Sequence, residues 1–226
     1  MPELPEVQTI AKDMNTYLPG YLIEKVKIKG TYRITPSREI FVNGIEGKTI
    51  KSTRRLAKFI IVELDSEKYI VFHLAMTGRI LLRDPKDRSD KFVKVIFKLR
   101  KGNEIKNLVF CDMRMFGKLQ LANYKDMEII EVSRGIDPLD ETLKPENFLE
   151  KVRSVRTNIK NVILNQKIFA GIGNIYANEA LFLAGIRPET PTREVTQEQA
   201  EKLLETIREV LNQGIKNRGA TLRDRM

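Results

Sequence analysis

The spacing of apolar residues changes near the middle of the chain, which predicts two kinds of structure. A first segment has helical spacing, with Val7, Ile10, Ala11, Met14 and Leu18 on one face. Apolar and polar residues then alternate, and Gly, Pro, Asp and Lys clusters interrupt the alternation. This alternation predicts strands over residues 22–29, 59–64, 69–82, 92–100 and 108–121. The first half is therefore expected to form an antiparallel sandwich or barrel.

The second half has helical spacing, over residues 148–166, 174–184 and 196–216. Thr196 and Gln199 form the sequence pattern of a capping box at the start of the last helix. We therefore predict an α+β protein, with an N-terminal helix and antiparallel β-sandwich followed by an all-helical domain. The predicted domains are residues 1–130 and 146–226, with a linker at 131–145 and a cleft between the domains.

The net charge of the chain limits the classes of binding partner that are expected. The 226 residues include 40 Lys and Arg against 30 Asp and Glu, which gives a formal charge of +10. Such an excess favours a polyanion, either nucleic acid or an anionic membrane surface, although a generally basic surface explains it equally well. No uninterrupted apolar stretch is long enough to span a membrane, and the first residues are acidic rather than basic. We expect a cytoplasmic protein with no membrane partner.

Cysteine and histidine are too scarce for several kinds of site. Cys111 is the only cysteine, which excludes an internal disulfide and a cysteine-based zinc site. Ser-His-Asp chemistry would have to use His73, the only histidine, and no nucleophile elbow accompanies it. We therefore expect no metal and no cofactor.

The first residues, Met-Pro-Glu-Leu-Pro-Glu, combine an amine and two carboxylates. Removal of Met1 would leave Pro2 as a chain-terminal amine, which is neutral and nucleophilic more often than a lysine at neutral pH. A secondary amine can form an iminium with an aldehyde, and Glu3 and Glu6 can donate and accept protons beside it. The alternative is an ordinary helix start, since proline and acidic residues suit the first turn.

The segment Gly171-Ile-Gly-Asn174 lies between two predicted helices. Its glycines allow a tight turn, and the free amides at the start of the next helix can bind phosphate. Lys160 and the side chain of Asn174 would add further contacts to the DNA backbone, as in a helix-two-turn-helix motif. An ordinary helix connection is the alternative, and no strand precedes the segment as a dinucleotide-binding site requires.

Two further segments place an apolar residue and a cation near a glycine turn, at 73–79 and 111–118. Met76 and Phe116 can act as wedges between bases, with Arg114 filling the space of an extruded nucleotide. Alternatively, Met76 and Phe116 are core residues and Arg114 is a surface charge. The basic group Arg54, Arg55 and Lys58 either contacts phosphates or is a solvated charge run.

Together these motifs resemble the formamidopyrimidine-DNA glycosylases (Fpg or MutM), which share a fold with endonuclease VIII. The resemblance extends over the whole chain. Its specific segments are Pro-Glu-Leu-Pro-Glu-Val at 2–7, Arg-Arg-x-x-Lys at 54–58, His-Leu-x-Met-Thr-Gly at 73–78, Asp-x-Arg-x-Phe-Gly at 112–117, Asp-Pro-Leu at 137–139 and Ala-Gly-Ile-Gly-Asn-Ile-Tyr-Ala-Asn-Glu-Ala-Leu-Phe at 170–182. Leu4 favours the Fpg branch, because endonuclease VIII relatives usually have glycine there.

The resemblance implies a role for each candidate residue. Pro2 would attack C1′ of a damaged nucleotide and form a Schiff base, after which β,δ-elimination cuts the strand. Glu3 would shuttle protons at the sugar ring oxygen, Glu6 would support the site and Lys58 would hold a neighbouring phosphate. Phosphate binding is implied for His73, Lys160 and Asn174. Filling of the space that the extruded nucleotide vacates is implied for Met76, Arg114 and Phe116.

The chain departs from the family pattern at two places. Fpg enzymes normally continue past the segment at 219–224 into a lesion-covering loop and a four-cysteine zinc finger, whereas this sequence stops at Met226. A naturally fingerless relative, a shortened chain and an incomplete gene are all compatible with that ending. Met113 and Met115 replace the usual proline and second arginine of their loop, which makes it less basic and less rigid.

From the sequence we expect a monomeric base-excision repair glycosylase and AP lyase for oxidised purines such as 8-oxoguanine and formamidopyrimidines. Its partner would be double-stranded DNA that contains such lesions or abasic sites, near the nucleoid if the source is bacterial. Three alternatives remain open. They are a catalytically weak binder of damaged or abasic DNA, an endonuclease VIII-like glycosylase for oxidised pyrimidines, and an RNA-binding protein of helix-two-turn-helix type.

Overall fold

The computed structural model describes residues 1–219. The end of the predicted helical domain, and all but the first residue of the segment at 219–224, lie outside them. The helices are α1 (Leu4–Tyr17), α2 (Arg38–Ile45), α3 (Tyr124–Val132), α4 (Pro145–Arg153), α5 (Ile159–Leu164), α6 (Asn174–Ala184) and α7 (Gln197–Lys216), with a 3-10 turn at Thr192–Glu194. The strands are β1 (Leu22–Ile28), β2 (Ile34–Thr35), β3 (Ile50–Leu56), β4 (Phe59–Leu64), β5 (Tyr69–His73), β6 (Gly78–Arg83), β7 (Val93–Lys101), β8 (Glu104–Asp112) and β9 (Lys118–Ala122).

The strands form a two-sheet sandwich, which confirms the predicted α+β class. One sheet has the order β1-β7-β8-β6 and the other the order β2-β9-β5-β4-β3. All paired strands are antiparallel except the short pair β2–β9, which is parallel. The inner faces of both sheets enclose one core, in which Phe72, Phe97 and Phe110 stack edge to face or tilted.

Several predicted elements are divided in the structure. The strand predicted at 69–82 is two strands, because residues 74–77 make a turn in which Ala75 has a φ of 50°. A Cβ at Gly78 would lie 2.5 Å from the Leu74 carbonyl oxygen, so this turn requires glycine. The segment at 108–121 is likewise divided by a loop, and the helix predicted at 148–166 restarts at the new N-cap Asn158.

The sequence pattern missed the helices α2 and α3 and the strands β2 and β3. In β3 the residues Ile50–Leu56 include three cations and two hydroxyl residues, so little apolar alternation is present to detect. Its pairing with β4 and its packing under α1 decide its conformation instead. Tertiary contacts thus override a weak local pattern.

The second half is helical, as predicted. Thr196 accepts a hydrogen bond from the Gln199 amide and the Gln199 side chain accepts one from Thr196, which confirms the capping box. The apolar stripe of α7 packs against α4, α6 and α1. No helix within residues 1–219 is both long enough and apolar enough to cross a membrane.

Helix α1 belongs to both halves. Leu4 is buried in the helical core, whereas Val7, Ile10 and Met14 are buried in the sandwich core. The Leu4 amide also donates to the Gly171 carbonyl at 3.0 Å. The start of the chain is therefore held where the two halves meet.

Candidate active site

The buried start of α1 brings two acidic side chains together. Pro2, Glu3 and Glu6 are all buried, and Met1 before them is exposed. The backbone amide of Glu3 donates to Glu6 Oε2 at 2.9 Å, and the Tyr176 hydroxyl donates to Glu6 Oε1 at 2.8 Å. Glu6 therefore links the first turn of α1 to α6.

The carboxylate of Glu3 lies against the N-terminus of α6. It accepts hydrogen bonds from the amides of Gly173 at 2.8 Å and Ile175 at 3.1 Å. A Cβ at Gly173 would lie 2.3 Å from Glu3 Cδ, so only glycine leaves room for the carboxylate. Burial raises the pKa of Glu3, although the α6 amides and Lys58 oppose the rise. A carboxyl with a raised pKa keeps its proton to a higher pH than an exposed one, which suits a group that donates and accepts protons.

These contacts limit the prediction that the α6 N-terminus offers free amides to phosphate, because two of those amides already have a partner. The amides of Gly173 and Ile175 are already occupied by Glu3, which supplies the negative charge that a helix N-terminus favours. Asn174 itself is exposed and its side chain remains available. Lys160 is half-buried on α5, and no carboxylate among the described residues lies within ion-pair distance of its amine.

Lys58 is placed beside the same carboxylates by the tight turn between β3 and β4, in which Ala57 has a φ of 53°. Burial lowers the pKa of Lys58, and the nearby charges of Glu3 and Glu6 act in the opposite direction. The structure therefore gathers Pro2, Glu3, Glu6 and Lys58 at one place, although they come from two distant parts of the sequence.

Arg54 and Arg55, adjacent in sequence, have different surroundings. The Arg55 guanidinium donates to Gln8 at 2.7 Å and to Asp137 at 2.5 Å, and its side chain is 9% exposed. Arg55 thus joins α1, β3 and the segment before α4, a role that the charge pattern did not reveal. Arg54 pairs with Glu131 at 2.6 Å on the surface. The interpretation of Arg55 as a phosphate contact or a solvated charge is therefore wrong.

His73 ends β5 next to this site. Its ring lies 5.0 Å from the Phe59 ring, and burial with the nearby cations Lys118, Lys58 and Arg134 lowers its pKa to about 4. His73 is therefore neutral at pH 7, so its ring has one N–H that can donate a hydrogen bond and one nitrogen that can accept one.

The two glycine-turn segments form one exposed surface. Met76 is 43% exposed and Phe116 is 48% exposed, so the interpretation of these two as core residues is wrong. The exposed Arg114 guanidinium lies 4.9 Å from the centre of the Phe116 ring. An apolar pair beside a cation is thus presented to the outside.

A buried polar cluster holds these turns in place. Asp112 is fully buried and accepts hydrogen bonds from the Tyr32 hydroxyl at 2.8 Å, from the Gly117 amide at 2.9 Å and from Thr77. The Thr77 hydroxyl in turn accepts from the Arg114 amide at 3.0 Å. Sequence reasoning assigned no role to Tyr32, and nothing in its neighbourhood along the chain indicates one.

Comparison with known proteins agrees with this geometry. The family model for the formamidopyrimidine-DNA glycosylase N-terminal domain matches residues 1–119, and the model for the H2TH domain of the same enzyme matches residues 134–226. The chain belongs to the formamidopyrimidine-DNA glycosylase family. It is accordingly a DNA glycosylase of base-excision repair, with a helix-two-turn-helix domain.

Relatives that this chain matches over about four-fifths of their own length support the assignment. The formamidopyrimidine-DNA glycosylase of Chloroflexus aurantiacus is 37% identical over 99% of this chain and 80% of its own length. That of Desulforamulus reducens is 36% identical over 99% of this chain and 81% of its own. The Lactococcus lactis Fpg, solved in complex with DNA that contains an abasic site, superposes with a TM-score of 0.90 at 28% identity, covering 98% of this chain and 81% of that one.

The zinc ion that the formamidopyrimidine-DNA glycosylase family implies does not fit the residues present. A four-cysteine finger needs four thiolates, and the sequence has only Cys111. Cys111 is buried in β8, and its burial raises the thiol pKa to about 11. Within residues 1–219, no group of His, Cys, Asp and Glu is arranged to hold a metal ion.

Proposed function

We propose that this glycosylase removes oxidised purines from double-stranded DNA and then cuts the strand as an AP lyase, with Pro2 as the nucleophile. The observation that supports this most strongly is the meeting of Pro2 with Glu3, Glu6 and Lys58 at the junction of the two halves. The proposal includes no cofactor, a monomeric enzyme and a cytoplasmic location.

The proposed chemistry begins once removal of Met1 has freed the Pro2 amine. The neutral amine attacks C1′ of an extruded nucleotide, the bond to the base breaks with its electron pair leaving on the base, and the N–H proton of the amine passes to the departing base. The sugar ring then opens as the iminium forms, and O4′ takes a proton from Glu3. Loss of a C2′ proton expels the 3′ phosphate, and loss of a C4′ proton expels the 5′ phosphate. Hydrolysis of the imine releases the enzyme.

The neighbouring groups suit these steps. The raised pKa of Glu3 favours its protonated form, which can donate a proton, and the α6 amides stabilise the ionised form, which can accept one. Lys58, whose pKa is lowered by burial, gains from an approaching phosphate, which favours its charged form. Glu6 is held by Tyr176 and orients the first turn rather than reacting.

The exposed surface at 76 and 114–116 suits an extruded nucleotide. Extrusion leaves a gap in the stack, and Met76, Phe116 and the Arg114 guanidinium have the apolar and cationic character to fill it. His73, Lys160 and Asn174 would contact phosphates on either side. These roles are proposals carried from the family motifs.

Borohydride trapping tests the proposal. Methionine-processed protein incubated with a duplex containing 8-oxoguanine and borohydride should form a covalent protein–DNA adduct, since the hydride reduces the iminium. A matched protein with one alanine inserted before Pro2 keeps the side chains but converts the amine to an amide, and should give no adduct. Peptide mapping should place the adduct on Pro2.

Two results would contradict the proposal. If the processed protein excised the base without any trapped adduct, the nucleophile would be another group or water. If it bound the lesion but neither excised nor trapped it, the chain would be a binder of damaged DNA. Intact mass of the purified protein must first establish that Met1 is absent.

A second substrate class deserves the same assay. The Lactococcus lactis Fpg has also been solved with DNA containing an oxidised pyrimidine, at a TM-score of 0.90 and 28% identity over 97% of this chain. Single-turnover excision of an oxidised purine and an oxidised pyrimidine, compared on one duplex sequence, would rank the two. We expect the purine to be removed faster.

A further inference from the structure

A row of lysines on the sandwich lies apart from the proposed catalytic residues. Lys25, Lys27 and Lys29 occupy alternate positions in and just after β1, and all three are exposed. Alternate residues of a strand share one face, which here is the outer face of the β1-β7-β8-β6 sheet. Pro2 and Glu3 lie instead just before α1, and Lys58 lies in the turn between β3 and β4 of the other sheet.

These lysines form one side of a groove, which we call the lysine groove. Its volume is about 260 Å³, and its cationic lining consists of Lys25, Lys27, Lys29, Arg88 and Lys98. Ile96 and Asn107 complete the lining, so no carboxylate faces it. Lys98 pairs with Glu24 at 2.6 Å, but the row from 25 to 29 makes no ion pair with any described residue. The groove therefore keeps most of its positive charge.

The clustering of these lysines destabilises the free protein. Lys25 lies directly across from Lys98 in the antiparallel ladder, and like charges in that position repel. Glu24 relieves part of the repulsion, because its carboxylate contacts Lys98 and also Arg100 at 2.7 Å. A cluster that is locally unfavourable in the free protein is consistent with a bound anion.

Protection of a sheet edge is the ordinary explanation for lysines on an edge strand. Here the edge is already partly covered: the Ile23 amide donates to the Lys48 carbonyl at 2.8 Å, and the Val26 amide donates to Glu46 at 2.7 Å. Protection of the β1 edge also does not require cations on the neighbouring strand β7 or at position 88. The same coverage hinders an added peptide strand.

We propose that the lysine groove binds the phosphate backbone of a second DNA segment while the active site holds another. Residues two apart in a strand are about 6.7 Å apart, so the three lysines make a row of positive charge about 13 Å long, which can span several phosphates of a strand that rises about 3.4 Å per nucleotide. Three lysines in register can thus follow one strand without reading its sequence. A glycosylase that contacts two DNA segments at once can transfer from one segment to the other while it searches for damaged bases.

Stoichiometry tests the proposal without any need for catalysis. Native mass spectrometry with a 12-base-pair undamaged duplex should show two duplexes per protein at low salt. The variant Lys25→Gln/Lys27→Gln/Lys29→Gln should bind one. A control with the same loss of charge, Lys12→Gln/Lys125→Gln/Lys202→Gln, changes exposed lysines elsewhere and should still bind two.

The salt dependence of DNA binding provides a second test of the proposal. The slope of log K against log salt should fall by about 2 to 3 in the groove variant, since each lost phosphate contact removes about 0.9. The proposal is overturned if the wild type never binds a second duplex, or if both variants lose it equally. It is also overturned if a hexaglutamate peptide displaces the second duplex and binds more tightly, which would indicate an acidic protein partner. Borohydride trapping is independent of all three outcomes.

Discussion

At the scale of single residues, the candidate site depends on a carboxylate packed against a glycine. Glu3 occupies the space that a side chain at position 173 would fill, and the amides at the start of α6 hold its oxygens. The result is a buried acid with a raised pKa that cannot turn away from its place.

Replacing Glu3 by Gln should abolish proton transfer while keeping the shape of the side chain. We expect single-turnover excision to slow by about 10² to 10⁴, the usual contribution of a general acid or base. Duplex affinity should be unchanged. Glu179→Gln, which alters an exposed carboxylate on α6, is the control and should excise at the normal rate. Normal excision by Glu3→Gln would exclude Glu3 as the proton donor.

The variant Gly173→Ala tests the close contact. Its methyl group would overlap Glu3 Cδ at 2.3 Å, so we expect a loss of about 1 to 3 kcal/mol in the free energy of unfolding. In a Glu3→Ala background the same change should cost much less, because the overlapping atoms are gone. Chemical denaturation of the four proteins measures this coupling; additive losses would mean that the two residues do not compete for space.

His73 should make stability depend on pH. Its pKa is about 4 in the folded protein against 6.5 in the unfolded chain, so the unfolded state binds the extra proton between these values. The free energy of unfolding should therefore decrease as the pH falls from 6.5 towards 4, by up to about 3 kcal/mol. Denaturation of wild type and His73→Gln across this range measures the effect, and identical pH profiles would refute it.

At the scale of elements, Arg55 connects segments that are distant in sequence. It lies on β3 and contacts Gln8 on α1 and Asp137 before α4. Because the guanidinium is nearly buried, these hydrogen bonds are protected from water and contribute more than those of a surface pair.

The two adjacent arginines offer a matched comparison. We expect Arg55→Met to lower the free energy of unfolding by about 2 to 4 kcal/mol, since it leaves Asp137 without its partner. Arg54→Met removes an exposed pair with Glu131 and should cost about 0 to 1 kcal/mol. Thermal unfolding of both variants measures the difference, and equal losses would show that Arg55 is no more than a surface charge.

At the scale of the whole molecule, α1 couples the two halves. Its first residue, Leu4, packs in the helical core, and its apolar residues from Val7 to Met14 pack in the sandwich core, while α1 also packs directly against α7. Opening the junction would expose apolar surface from both cores. The active site lies at this junction, so catalytic geometry and global stability depend on the same contacts.

We therefore expect the two halves to unfold together. Calorimetry should show one transition whose van't Hoff and calorimetric enthalpies agree. Leu4→Ala should lower the free energy of unfolding by about 2 to 5 kcal/mol, because it leaves a cavity in the helical core. Two resolved transitions in the wild type would show that the halves are independent.

The predictable part of the site was local in sequence. The residues Pro2, Glu3 and Glu6 stand within one helical turn, and a capping box such as Thr196 with Gln199 also depends on near neighbours. Family motifs extended this reasoning to Lys58 and His73. The roles of all these residues in catalysis and DNA binding stay predictions.

The sequence by itself determined the sandwich followed by helices, because the period of apolar positions follows which face is buried. Only the tertiary structure decided that Glu3 occupies the amides of Gly173 and Ile175 at the start of α6, and that Met76 and Phe116 are exposed rather than in the core. The same holds for the tie through Arg55. These features depend on how elements that are far apart in the chain pack together. They therefore leave no periodic signal along the sequence.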